Sequence, residues 1–203
     1  MGKIQCSYPL LFMAALLVAF DSGGELILLL AAAGIHELGH LAAIRLLGAE
    51  IRGIRLAVGG MVIDYNGSRL SYFGDMVTAL AGPAASILAA VFFSLVARSQ
   101  PLDSLFYFTG LNLLLGLFNL VPVLPLDGGR AVLSLLTAAK GPAEAEMLCG
   151  AMTRLFGALL LVLGGWLIVR YQNPSLMLVS LLLLMGDGDK TLYRNVLSGY
   201  YYI

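Results

Sequence analysis

The chemistry of this chain is concentrated in Gly34-Ile35-His36-Glu37-Leu38-Gly39-His40, which holds the only two histidines in 203 residues. On an α-helix, positions i and i+4 project from one face, so His36 and His40 can both offer a ring nitrogen to the same cation. Glu37, offset by one position, can miss the metal and still reach a metal-bound water as a general base. The spacing also arises by chance in soluble helices, where two histidines and a glutamate simply hydrogen-bond to neighbouring helices. Here the surrounding run is apolar, and ionisable groups at bilayer depth are costly unless something stabilises them, which weighs against chance.

A catalytic zinc site takes three protein ligands and keeps a fourth position open. With no histidine left, the third ligand must be Asp, Glu or Cys. Asp127 is the best candidate. It sits in Val121-Pro122-Val123-Leu124-Pro125-Leu126-Asp127-Gly128-Gly129-Arg130, where two prolines and two glycines break a helix. Such backbone is tolerated at membrane depth only where it is buried in protein or lines a cavity. The competing reading of Asp127 is a turn or helix-capping aspartate. Glu50, Asp64 and Asp75 are weaker candidates, and Cys149 is weaker still because no second cysteine accompanies it. Cys6 and Cys149 fall near cytoplasmic ends, where thiols stay reduced, so no disulfide is expected.

The elements that must position these residues are membrane helices. Hydrophobic residues make up 60% of the chain and charged ones 12%, with a mean hydropathy of +0.91, which excludes an ordinary soluble domain. Twelve basic and twelve acidic residues cancel, so nothing points to nucleic acid. Six apolar segments can be drawn: Tyr8 to Phe20, Glu25 to Leu47, Phe73 to Val96, Leu105 to Val123, Leu155 to Val169 and Ser175 to Met185. The first reads as a retained helix rather than a cleaved leader. If all six span with the N-terminus inside, ten basic residues face the cytoplasm and only Arg98 and Arg170 face out, so both termini are expected to be cytoplasmic. A five-span alternative lays the first segment in the interface. In either case His36 lies roughly 13 Å before Arg45, on the cytoplasmic side.

Between the second and third segments, residues Ile54 to Asn66 alternate as strands do. With Gly59-Gly60 as a two-residue turn, Val58 would face Met61, Leu56 would face Ile63 and Ile54 would face Tyr65. This hairpin would either cap the bundle or offer an edge to an extended peptide, making Leu56, Val58, Gly59, Gly60, Met61 and Ile63 a candidate substrate strand. Asn112 and Asn119 lie on the fourth segment, and the aromatics Trp166, Tyr193, Tyr200, Tyr201 and Tyr202 suit interfacial anchoring.

Three motifs together resemble the site-2 protease family of intramembrane zinc metalloproteases: His36-Glu37-Leu38-Gly39-His40, Ala81-Gly82-Pro83, and Asn119 through Arg130. The resemblance implies that His36, His40 and Asp127 bind one Zn2+ per chain, that Glu37 activates water, and that Asn119 helps hold the substrate or its oxyanion. It implies a single integral membrane domain over 1–203 with a catalytic core of about 24–138, an all-α fold of about six transmembrane helices and a small β-hairpin. Ser86 stands where many relatives have Asn, which leaves the role of that position open. With no room for a PDZ or nucleotide-sensing domain, the chain looks most like the compact sporulation-type branch. That branch implies a membrane-embedded or membrane-associated protein substrate, for example a sigma-factor precursor, cut near the cytoplasmic face of the cell membrane. An inhibitory membrane partner is left unassigned. The competing classes are a non-catalytic scaffold that retains zinc and binds a partner helix, and a transporter, which the lack of paired interrupted repeats disfavours.

Overall fold

The computed structural model describes residues 3–6, 24–49, 51–57, 60–65, 70–174, 176–178 and 180–181. The elements in chain order are β1 (Lys3–Cys6), α1 (Glu25–Leu46), β2 (Ile51–Ala57), β3 (Gly60–Tyr65), α2 (Tyr72–Ser99), α3 (Asp103–Asn119), α4 (Asp127–Lys140) and α5 (Pro142–Tyr171). The chain divides into two compact units, Met1–Leu70 with Leu80–Phe118, and Ser71–Ala79 with Asn119–Ile203.

In the first unit, the 22 residues of α1 rise roughly 33 Å, enough to cross a hydrocarbon layer of ~30 Å. Glu25 in its first turn and Arg45 in its last both complement the helix dipole. The helix stops in a Schellman arrangement. Gly48 takes φ 76 and donates to the Arg45 carbonyl at 3.0 Å, while Ala49 donates to the Ile44 carbonyl at 3.1 Å. A side chain at Gly48 would be strained in that left-handed conformation, and the apolar contact that normally seals the motif is present, since Ile44, Ala49 and Leu70 form one buried cluster. The start of α2 belongs to the second unit, where Ser71 accepts the Gly74 N–H on its hydroxyl at 3.1 Å, and within the first unit Pro83 interrupts the hydrogen-bond ladder of that helix. Phe93 and Phe108 meet edge to face with centroids 4.8 Å apart.

The second unit is organised by the break after α3. Residues Leu120 to Leu126 leave the helical path through short turns, with Val123 donating to the Val121 carbonyl at 2.8 Å and Leu126 to that of Val123 at 3.0 Å. Leu124 donates instead to the Thr153 hydroxyl of α5 at 3.1 Å, a bond between residues 29 apart in sequence. Gly128 and Gly129 follow, and a β-carbon on either would run into the backbone of this same turn. The pair thus lets the start of α4 lie directly on the break. Leu124, Leu133, Ala145 and Cys149 form the core beneath it.

The expected fold class needs correction. Three helices among the described residues, α1, α2 and α5, are long and apolar enough to cross a membrane, not about six. The expected fourth span ends early: α3 has 17 residues, roughly 25 Å, because Pro122 and Pro125 cannot continue it. The segment Tyr8 to Phe20 and most of Ser175 to Met185 lie outside the described residues. The free-standing hairpin is also replaced. β2 is the centre of a three-stranded sheet, parallel to β1 and antiparallel to β3. The pairing is Leu56 with Met61, Ile54 with Ile63 and Ala57 with Gly60, two residues away from the expected register, with an irregularity between Ile51 and Gly53. The Gly59-Gly60 turn assumed from sequence is therefore wrong, because Gly60 is already paired within β3. Turn chemistry alone could not register the hairpin, since β2 is also held from its other side by Lys3–Cys6.

Candidate metal centre

His36 and His40 lie in the middle of α1, one turn apart and each only 5% exposed. Their Nε2 atoms stand 3.3 Å from each other, and the rings meet nearly edge to face at 77°. Two ligands on a tetrahedral ion with Zn–N bonds of about 2.0–2.1 Å stand about 3.3–3.4 Å apart, so this pair already has the spacing of one edge of a zinc tetrahedron. Asp127 opens α4, is buried at 8% exposure, and gains from the helix N-terminus that favours its negative charge. Arg130, one turn on, places a guanidinium nitrogen 3.9 Å from its Oδ1. One ligand atom from each of His36, His40 and Asp127 can be chosen so that all lie within 4.8 Å of one another. Two imidazoles and one carboxylate are a zinc donor set with a fourth position left for water or substrate.

The surroundings hold the imidazoles in place. His36 turns Nδ1 toward the Ser86 hydroxyl at 3.0 Å, leaving Nε2 for a cation. When Nε2 binds metal, Nδ1 carries the proton and donates to Ser86. A β-carbon at Gly82 would overlap the His40 ring, so the absence of a side chain there is what admits the imidazole. Glu37 is half-buried on the same helix.

The other sequence candidates separate. Asp75 is buried and accepts a hydrogen bond from the Ser134 hydroxyl at 3.1 Å. Cys149 is a free thiol packed in the apolar core of the second unit. Among the described residues the metal-capable cluster is the trio above. Glu50, Val58 and Gly59 lie outside the described residues. Asn119 is the last residue of α3 and half-buried. Sequence reasoning left Ser86 without a role and passed over Gly82 and Thr153 as site-shaping residues. Ser86 lies 50 positions from His36, a separation that carries no local signal.

Comparison with known proteins agrees with this geometry. Residues 94–163, which include Asp127, match the model of peptidase family M50. A solved site-2 protease from Methanocaldococcus jannaschii superimposes with a TM-score of 0.69 at 26% identity, covering 94% of this chain and 92% of that one. The chain is similar to peptidase family M50 over about a third of its length. Zinc metalloprotease MJ0392 of Methanocaldococcus jannaschii is 29% identical over 185 residues, 84% of this chain and 52% of the relative. Putative zinc metalloprotease Rip3 of Mycobacterium tuberculosis is 33% identical over 117 residues, 54% of this chain and 30% of the relative. Putative zinc metalloprotease sll0528 of Synechocystis is 33% identical over 115 residues, with the same shares. The chain thus spans about half, or less, of the length of these relatives. The donor trio of this chain fits zinc, the metal that the names of these relatives carry.

Proposed function

We propose that this chain is an intramembrane zinc metalloendopeptidase that hydrolyses a peptide bond of a membrane-embedded or membrane-associated protein near the cytoplasmic face. The observation that carries the reading is the trio His36, His40 and Asp127, its two histidines and the Glu37 between them lying on a helix apolar and long enough to cross a bilayer. Bound zinc supplies Lewis-acid polarisation and water acidified to a pKa of about 7. Glu37 takes the proton of the attacking water and returns it to the leaving amine as the C–N bond breaks. Asn119, at the end of α3, is the candidate amide donor to the developing oxyanion.

A substrate helix hides its carbonyls in i to i−4 bonds and must unwind before attack. The sheet supports strand addition at β3 rather than β2, because β2 is flanked on both sides. Gly60, Met61 and Ile63 remain substrate-strand candidates on that ground, while Leu56 lies on the central strand. Cytoplasmic termini are the orientation to test, and a sigma-factor precursor is the first substrate to try.

The test is Glu37→Gln on the purified, detergent-solubilised full chain, with zinc stoichiometry and cleavage of co-expressed single-span and amphipathic substrates measured together. Zinc should stay while turnover falls by at least ~10²-fold. Cleavage at near wild-type rate with folding unchanged would refute the protease mechanism. Zinc retention without any Glu37-dependent cleavage would favour the scaffold that binds a partner helix.

A further inference from the structure

A buried carboxylate outside the metal trio grips the helix that carries the third ligand. Asp75, in the first turn of α2, is 6% exposed and accepts the Ser134 hydroxyl proton on Oδ2 at 3.1 Å, and Ser134 is itself 3% exposed. Burying a carboxylate is costly, and apolar side chains of similar volume would fill such a contact with no loss of stability, so the pair calls for a role in alignment. Ser134 lies on α4, whose first residue is Asp127.

Ser134 follows Asp127 by seven residues, two helical turns, so the two share one face of α4 with buried Ala131 between them. Leu133 points elsewhere and packs with Leu124, Ala145 and Cys149. Apolar burial of that kind has no direction and leaves a helix free to turn by small amounts. A hydrogen bond constrains both distance and angle. Gly128 and Gly129, poor helix formers, make the first turn of α4 the part least able to hold Asp127 by itself. The tolerance is small: metal–ligand distances vary by about ±0.2 Å. An atom about 5 Å from a helix axis moves by about 0.4 Å when the helix turns by about 5°.

The face of α2 that bears Asp75 also serves the imidazoles. Asp75, Ala79, Gly82 and Ser86 stand at i, i+4, i+7 and i+11, one side of that helix. Gly82 admits the His40 ring, and Ser86 meets His36 Nδ1 at 3.0 Å. α2 contributes to both compact units, Asp75 to the second with α4, Gly82 and Ser86 to the first with α1.

We propose that Asp75 and Ser134 are positioning residues for the third metal ligand: their bond sets the rotation of α4, and with it the place of the Asp127 carboxylate. The proposal rests on the metal-centre reading above.

The experiment uses the full chain in detergent and reads zinc retention against a chelator series, together with the absorption spectrum of the cobalt-substituted protein. Ser134→Ala removes one oxygen and Asp75→Ala removes the acceptor. Each should weaken retention by at least ~10-fold, the low end of what outer-shell partners cost, and shift the cobalt spectrum toward that of Asp127→Asn. Because both act through one bond, the double variant should lose no more than the worse single. Asp75→Asn keeps an acceptor oxygen and should stay within a few-fold of wild type. If Asp75→Ala does not fold, Ser134→Ala and Asp75→Asn carry the test. A wild-type spectrum and retention in folded Ser134→Ala, fully additive losses in the double variant, or Asp75→Asn as damaging as Ser134→Ala would each overturn the proposal. A purely structural role would lower the melting temperature and leave the spectrum unmoved. Asp127→Asn is the reference for a lost ligand: if wild type holds metal no better than that variant, it is the metal centre that fails and not the pair that aligns it.

Discussion

Gly82→Ala is the most direct perturbation of the metal centre that touches none of its ligands. The β-carbon it adds would stand 2.5 Å from Cε1 and 2.7 Å from Cδ2 of the His40 ring. Carbon atoms in contact sit about 3.5–4.0 Å apart, so the ring must retreat by about 1 Å to admit the methyl group. Metal–ligand distances tolerate about ±0.2 Å. A retreat several times that size removes His40 from the coordination sphere while leaving its chemistry intact. Zinc retention should therefore fall by at least ~100-fold, beyond what loss of an outer-shell partner usually costs. Overpacking should add about 1–3 kcal/mol of destabilisation. The assay is zinc stoichiometry after chelator challenge, with a thermal melt of the same samples and His40→Ala alongside. A folded Gly82→Ala protein that holds zinc as tightly as wild type would refute the claim that the missing side chain at this position admits the imidazole.

Three further outcomes are expected. Asp127→Asn replaces a carboxylate ligand by a neutral amide and should lose both zinc and cleavage; undiminished zinc would place the third ligand elsewhere, with Glu50 and Asp64 tested next. Thr153→Val leaves the Leu124 N–H without its acceptor and should destabilise the chain by about 1–3 kcal/mol in chemical unfolding, while a neutral effect would remove Thr153 from the anchoring of the turn before Asp127. A reporter fused after Ile203 should be cytoplasmic and one inserted near Ser99 external, and reversed signals would overturn the orientation read from the basic residues.

What the sequence determined by itself is local. The pairing of His36 with His40 follows from helical periodicity alone, because residues four apart share a face whatever the rest of the chain does. A break in the helix before Arg130 was legible from Pro122 and Pro125, which lack a backbone donor, although the segment drawn to Val123 overran the end of α3 at Asn119. The apolar composition likewise announced membrane helices before any fold was known. Asp127 could be favoured over other acids only through the motif around it. Tertiary structure brought its carboxylate within 4.8 Å of the imidazoles, 87 residues beyond His40 in the numbering. Tertiary contact also chose Ser86 as the partner of His36 and Thr153 as the anchor of the Leu120 to Leu126 turn. The same holds for the register of β2, set two residues from the expected pairing with β1 on its other flank. Those contacts join residues that no helical or strand period relates, and their geometry is decided by how whole elements pack rather than by any neighbouring residue type.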